Sequence, residues 1–130
     1  LNDNQLIGEI PVEIGNLTNL IHLYLFHNQL TGGIPPSIGY LTNLEILYLS
    51  SNPLGGEIPP ELGNLTNLNT LYLRDNELSG EIPQSICNLN IDFEDESKFR
   101  IQNNNLCQPY PPCISAGNWN TDPQDTSDCP

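Results

Sequence analysis

Hydrophobic residues in this chain alternate with polar ones in a short burst, pause at an asparagine, and start again 24 residues later. The frame reads Leu23-x-Leu25-x-x-Asn28-x-Leu30, then Leu47-x-Leu49-x-x-Asn52-x-Leu54, then Leu71-x-Leu73-x-x-Asn76-x-Leu78. The alternation Leu23-Tyr24-Leu25-Phe26 has the period of two of a half-buried strand, leucines inward and the other residues outward. Asn28, Asn52 and Asn76 are predicted to turn inward, where the amide satisfies backbone groups freed as the chain leaves the strand. Each copy continues through a glycine (Gly8, Gly32, Gly56, Gly80) and an Ile-Pro pair (Ile10-Pro11, Ile34-Pro35, Ile58-Pro59, Ile82-Pro83). It then returns through Ile14, Ile38, Leu62 and Ile86 to Leu17, Leu41, Leu65 and Leu89. The glycine permits a tight bend and the proline blocks a long helix, so the return side should hold short extended and 3₁₀ pieces. A fixed period of this length means one supersecondary unit stacked on copies of itself, with the core drawn out as a strip.

The full pattern, Leu-x-x-Leu-x-Leu-x-x-Asn-x-Leu-x-Gly-x-Ile-Pro-x-x-Ile-Gly-x-Leu, resembles the plant-type leucine-rich repeat over residues 1 to about 90. That family includes receptor-kinase ectodomains and polygalacturonase-inhibiting proteins, and similar repeats occur in secreted bacterial proteins. The resemblance implies a right-handed solenoid with a parallel β-sheet on the concave face. It also implies short 3₁₀ and extended segments on the convex face, with extra strand character from the Gly-x-Ile-Pro segment. Members are mostly recognition proteins without chemistry of their own.

The register slips once. Phe99, Ile101, Asn104 and Leu106 repeat Leu71, Leu73, Asn76 and Leu78 at 28 residues, so a four-residue insertion falls within Asn90–Lys98. This predicts repeats over residues 1–106, the first partial, with a final strand near residues 98–102 and a cysteine-containing cap over 107–130. Leu1-Asn2-Asp3-Asn4 is expected to begin inside a strand, leaving a bare first repeat. Such an edge is normally covered, so the chain is expected to be the C-terminal part of a longer array or a processed product. End-to-end association through that edge is the alternative.

All four cysteines (Cys87, Cys107, Cys113, Cys129) lie in the last third. An even number at one end of a repeat array indicates a disulfide-stapled cap and an oxidising compartment. Zinc is the rival, but the spacings contain no close Cys-x-x-Cys pair and no nearby histidine. Asn105-Leu106-Cys107 resembles the start of the plant inhibitors' C-terminal cap, in which that cysteine pairs with one further downstream. Here Gln108-Pro109-Tyr110-Pro111 follows, without the family's glycine. Aligning Tyr110-Pro111-Pro112 with Ile82-Pro83-Gln84 puts Cys113 beside Ser85, near Cys87 one layer below; layers about 4.8 Å apart are within bridging reach. The expected pairs are Cys87–Cys113 and Cys107–Cys129.

Charge narrows the partners. Sixteen acidic residues against three basic ones give a net charge of −13, which disfavours nucleic acid and anionic membranes. No apolar run approaches the roughly 18 residues needed to span a bilayer. The outward strand positions fall in columns: Tyr24, Tyr48, Tyr72 and Arg100 in the centre; His22, Ile46, Thr70 and Lys98 before it; Phe26, Ser50, Arg74 and Gln102 after it; then His27, Ser51, Asp75 and Asn103. All three basic residues lie on this face. Stacked tyrosines form a rigid amphipathic strip suited to a protein loop or a sugar ring, although cross-strand ladders also stabilise a sheet by themselves. The candidate ligand-binding residues are His22, Tyr24, Phe26, Tyr48, Tyr72, Arg74, Lys98 and Arg100.

Other features point less far. His22 and His27 read as surface histidines, with no carboxylate or nucleophile fixed near them, and no serine sits in a nucleophile elbow. Glu9, Glu57 and Glu81 line up before the Ile-Pro pairs, Glu13 and Glu61 beside them, as a solvated face. The insert Asp92–Glu96 and the tail Asp122, Asp125, Asp128 are oxygen-rich enough to suggest Ca²⁺ but match no EF-hand. Asn16-Leu17-Thr18 and Asn64-Leu65-Thr66 are Asn-x-Thr sequons at equivalent repeat positions, with Tyr40 replacing the asparagine between them. Trp119 is expected to plug the last core layer. The reading that results is a secreted or cell-surface, monomeric, non-catalytic module without metal or cofactor, binding a protein or peptide on its concave face. Carbohydrate or surface adhesion through the tyrosines, or a structural stalk belonging to a larger surface protein, are the alternatives.

Overall fold

The computed structural model describes residues 1–115 and 121–130, so Trp119 lies outside the described residues. Each coil opens with a short strand. His22–Tyr24 (β2), Ile46–Tyr48 (β4), Thr70–Tyr72 (β6) and Phe99–Arg100 (β8) form a four-stranded parallel sheet in that order. The register places Leu23, Leu47, Leu71 and Phe99 in one row, and Tyr24, Tyr48, Tyr72 and Arg100 in the next. The 24-residue period therefore holds across three coils, and the four-residue insertion restores it at the fourth.

The asparagines lock each coil to the one below. Asn52 Nδ2 donates to Leu25 O (2.9 Å) and Leu49 O (3.0 Å), while its Oδ1 accepts the Leu30 N–H at 3.1 Å. Asn76 makes the same contacts to Leu49, Leu73 and Leu54, and Asn104 to Leu73, Ile101 and Leu78. Buried amide and carbonyl groups left over from strand ends are thus paired. The residue before each asparagine turns the chain out of the strand with positive φ: His27, Ser51, Asp75 and Asn103, at 53 to 59°.

A second set of parallel strands follows each asparagine: Ile7–Glu9 (β1) with Gln29–Thr31 (β3), and Gly55–Glu57 (β5) with Glu77–Glu81 (β7) and Asn105–Cys107 (β9). The Gly55 N–H donates to Gly32 O at 2.9 Å, linking the two sets. Each strand sits earlier than the Gly-x-Ile-Pro segment implied and stops before the Ile-Pro pair. Proline has no N–H to extend a ladder. Short 3₁₀ helices at Val12–Asn16, Pro36–Tyr40, Pro60–Asn64 and Gln84–Asn88 complete the convex side. They stack closely: a Cβ on Gly63 would come within 2.4 Å of Ser85 O.

Between the two faces runs the leucine strip, in which Ile38, Leu41, Leu44, Leu47, Leu49, Leu54, Leu62, Leu65, Leu68, Leu71 and Leu73 are fully buried. The inserted segment adds Phe93, packed edge-to-face on Phe99 at 5.0 Å. The disulfides Cys87–Cys113 and Cys107–Cys129 close the C-terminal end, with Cα–Cα distances of 5.6 and 5.7 Å.

At the other end the expectation of a strand over residues 1–4 fails. Leu1 aligns with Leu25, the last leucine of the strand frame, so only the turn remains. Asp3 adopts the positive φ of that turn (52°), and its N–H donates to Phe26 O at 3.0 Å.

Candidate functional site

Register alone brings the outward tyrosines together. The Tyr48 and Tyr72 rings are parallel to within 5° with centroids 4.4 Å apart; Tyr24 leans on Tyr48 at 5.2 Å and 57°. Arg100 continues the column, its Cζ lying 5.5 Å from the Tyr72 centroid in a cation–π contact. Phe26, from the neighbouring column, meets Tyr48 edge-on at 6.0 Å. Burial, and then the neighbouring Tyr72 and Tyr24, push the Tyr48 phenol above its ordinary range, while the Arg100 charge draws it partly back.

Beside this stack is a depression of about 200 Å³ lined by Phe26, His27, Tyr48, Ser50, Tyr72, Arg74 and Arg100. It exists because Ser50 is small where its column neighbours Phe26 and Arg74 are long. Ser50 is 7% exposed, and its Oγ finds no hydrogen-bond partner among the described residues. A buried, unpaired hydroxyl costs free energy that a ligand's polar group can recover.

The two arginines are steered by their neighbours. Arg100 Nε donates to Glu96 O at 2.9 Å, and its terminal nitrogen approaches a Glu96 carboxylate oxygen at 3.3 Å. The Tyr72 hydroxyl donates to the same carbonyl at 3.3 Å. The insertion thus buttresses the end of the tyrosine column, a role its position in sequence did not reveal. Arg74 Nε lies 3.3 Å from Asp75, whose other oxygen accepts from Asn103 Nδ2 at 2.6 Å. Both ion pairs are solvent-accessible and hold weakly, leaving the guanidinium groups open to a ligand anion.

Of the eight candidate residues, the depression gathers Phe26, Tyr48, Tyr72, Arg74 and Arg100, and Tyr24 joins through the stack. His22 stands at the rim, 5.8 Å from Tyr24. Lys98 lies outside the depression; its carbonyl accepts the Leu71 N–H at 2.7 Å. Ser50 and His27 were in the outward columns but not among the candidates. The signal for Ser50 was a small residue in a column of large ones.

One expectation about the histidines is corrected. Asp3 Oδ1 lies 2.8 Å from His27 Nδ1, and hydrogen bonds from Asn2 and then His27 hold the Asp3 carboxyl below its ordinary range. The two residues are one period apart, so their stacking was available from the repeat. The acidic segments use their oxygens locally. Asp92 Oδ1 accepts the Glu94 N–H, Asp95 Oδ1 the Ser97 hydroxyl and N–H, and Asp125 Oδ1 the Ser127 N–H. These bonds lower the Asp95 and Asp125 carboxyls.

A family profile described as leucine rich repeats (2 copies) matches residues 18–56 and 42–90. No curated protein matches the chain significantly. Among solved structures, the BIR2 ectodomain from Arabidopsis thaliana is 36% identical, with a TM-score of 0.79 over 92% of this chain and 60% of its own. The Arabidopsis receptor kinase HAESA ectodomain, solved with an N-terminally extended IDA peptide hormone ligand, is 40% identical, with a TM-score of 0.74 over 84% of this chain and 18% of its own. A plant ice-binding protein is 43% identical, with a TM-score of 0.65 over 68% of this chain and 29% of its own. This chain therefore spans less than two thirds of the length of each.

Proposed function

This chain belongs to the leucine-rich repeat family, and from that premise we propose that it is an extracellular recognition module that binds an extended protein or peptide segment across its concave face. The depression beside the tyrosine stack carries the reading. Its volume suits one apolar or aromatic side chain held between Phe26, Tyr48 and Tyr72. Ser50 Oγ meets a polar group of the ligand at the floor, and Arg74 and Arg100 face a carbonyl or carboxylate at the rim. Aromatic and arginine side chains around a small desolvated hollow are the usual anchors of an interface. The binding of a peptide hormone by the similar HAESA ectodomain supports the same class of ligand. The concave sheet, four strands at about 4.8 Å spacing, fits one short epitope.

The test is a peptide-display selection on the chain, followed by titration of enriched peptides against Ser50→Leu, which fills the hollow, and Tyr72→Ala. Both variants should bind at least tenfold more weakly, about 1.4 kcal/mol, while keeping the parent's circular dichroism. Equal binding by all three proteins would remove the concave site. A glycan array that is positive, with signals lost in Tyr72→Ala, would move the reading to carbohydrate.

A second reading has its own observation. Thr18, Thr42 and Thr66 form an exposed column on another flank, held flat by Asn43 Nδ2 to Thr18 O at 2.9 Å and Asn67 Nδ2 to Thr42 O at 2.8 Å. A rigid row of hydroxyl and methyl groups can order water, and the similarity to a plant ice-binding protein points the same way. Thermal hysteresis that disappears in Thr42→Tyr would establish it; none at millimolar protein would dismiss it.

A further inference from the structure

The two Asn-Leu-Thr triplets stand at equivalent places of alternate coils, at the ends of the first and third 3₁₀ helices. Asn-x-Thr with x other than proline is the acceptor pattern for N-linked glycosylation, and an extracellular disulfide-bonded chain fits the compartment where that transfer occurs. Asn64 and Thr66 are exposed while Leu65 between them is buried, so the acceptor is presented outward on a rigid coil. The coil below differs from its neighbours: Tyr40 takes the acceptor position and is 69% exposed. Tyr40 and Asn64 line one groove of about 410 Å³, together with Val12, Pro36, Ser37 and Glu61.

A large exposed ring is an unusual occupant of a position that is asparagine in the other three coils (Asn16, Asn64, Asn88). Nothing in the strip requires it, since the leucines on either side of this position do the packing. What the ring adds is an amphipathic wall beside the acceptor, apolar on its face and polar at its tip. Those are the properties that the C–H face and hydroxyls of a sugar ring complement.

We propose that Asn64 carries an N-linked glycan whose first sugar rests in this groove against the Tyr40 ring. In the transfer, Asn64 Nδ2 bonds to the anomeric carbon of the reducing-end N-acetylglucosamine of a lipid-diphosphate-linked oligosaccharide. The bond from that carbon to the phosphate oxygen breaks, the lipid diphosphate leaves with the bonding pair, and the amide releases one proton. No electrons change hands. The glycan stands on the convex side and leaves the tyrosine column free. It also stands beside Thr66, so an occupied Asn64 obstructs the threonine row invoked for ice.

The experiment is secretion of the chain from eukaryotic cells, with site occupancy read by peptide mass mapping. Asn64 should be modified in the parent and in Thr66→Ser, and unmodified in Thr66→Ala. The glycosylated parent should melt roughly 2–4 °C above Thr66→Ala, a shift of the size expected for one modest contact in a domain of this length. Tyr40→Ala should erase that difference, the pair being coupled in a double-mutant cycle. An unmodified Asn64 in the folded, secreted parent overturns the site. An identical melting difference with and without Tyr40 overturns the seating of the sugar.

Discussion

The two ends of this solenoid treat the same side chains differently. At the N-terminal coil Leu1, Ile7, Val12, Leu17 and Ile21 are half to three-quarters exposed, and Leu23 and Leu25 keep 7% of their surface. Two coils later Leu71 and Leu73, in the same frame positions, keep none. At the C-terminal end Phe99, Ile101 and Leu106 are also fully buried, under Phe93, Ile114 and two disulfides. The cap even imitates the repeat. Gln124 Oε1 accepts the Leu106 N–H at 3.2 Å, and its Nε2 donates to Ile101 O at 2.9 Å and to Thr121 O, as one more asparagine would. A frame residue in a quasi-one-dimensional protein is worth what its neighbours above and below make it worth.

Breaking the cap should have the largest effect. Replacing Cys87 and Cys113 together by serine removes a link across 26 residues, at a cost of roughly 3–4 kcal/mol by loop-closure entropy. Chemical denaturation should report that loss, and hydrogen exchange should place it in Phe99–Arg100 and Asn105–Cys107 before His22–Tyr24. Uniform loss of protection along the array would mean that the chain unfolds as one unit and that the two ends are not separable.

The asparagine ladder sharpens the comparison. Asn76→Ala strands buried backbone groups of Leu49, Leu54 and Leu73, costing about 2–4 kcal/mol. Asn28 serves Leu1, Leu6 and Leu25, but its contacts to Leu1 and Leu6 are only part-buried, and water can replace them. Asn28→Ala should therefore cost about half as much. Equal losses in urea titrations of the two variants would show that the open end is as dry as the middle.

What could be read beforehand was whatever the period carries. Leu23, Leu47 and Leu71, the tyrosine column and the inward asparagines are set by position modulo 24, and so is the approach of Cys113 to Cys87 once the coils are aligned. What escaped was off the period or depended on side-chain size. Gln124 lies 20 residues after Asn104 and is of another residue type, so no repeat logic points to it. The grip of the Glu96 carbonyl on Tyr72 and Arg100 arises inside the insertion, where the frame is silent. The burial of Ser50 depends on the bulk of Phe26 and Tyr48 beside it. The Asp3–His27 contact was periodic and still went unread, because attention stayed on residues five apart along one strand.

The smallest effect tests the stack itself. The Tyr48 phenol sits above the ordinary tyrosine value of about 10, because burial and the adjoining Tyr72 and Tyr24 disfavour its anion. Below the ordinary value the phenol is neutral in both folded and unfolded chains, and whatever it contributes to stability is fully present. As pH rises past that value the unfolded chain releases the proton first, so stability falls until the folded midpoint is passed. Ultraviolet titration of phenolate, taken as a difference against Tyr48→Phe, should show a midpoint above the free value. Tyr72→Ala should lower it, because a neighbour and part of the burial are lost. Arg100→Gln should raise it, because the guanidinium is the group that favours the anion. A Tyr48 midpoint indifferent to both changes would mean that the rings do not stay stacked in solution. The depression beside them would then lose its wall, leaving the open and closed ends of the array as the molecule's main asymmetry.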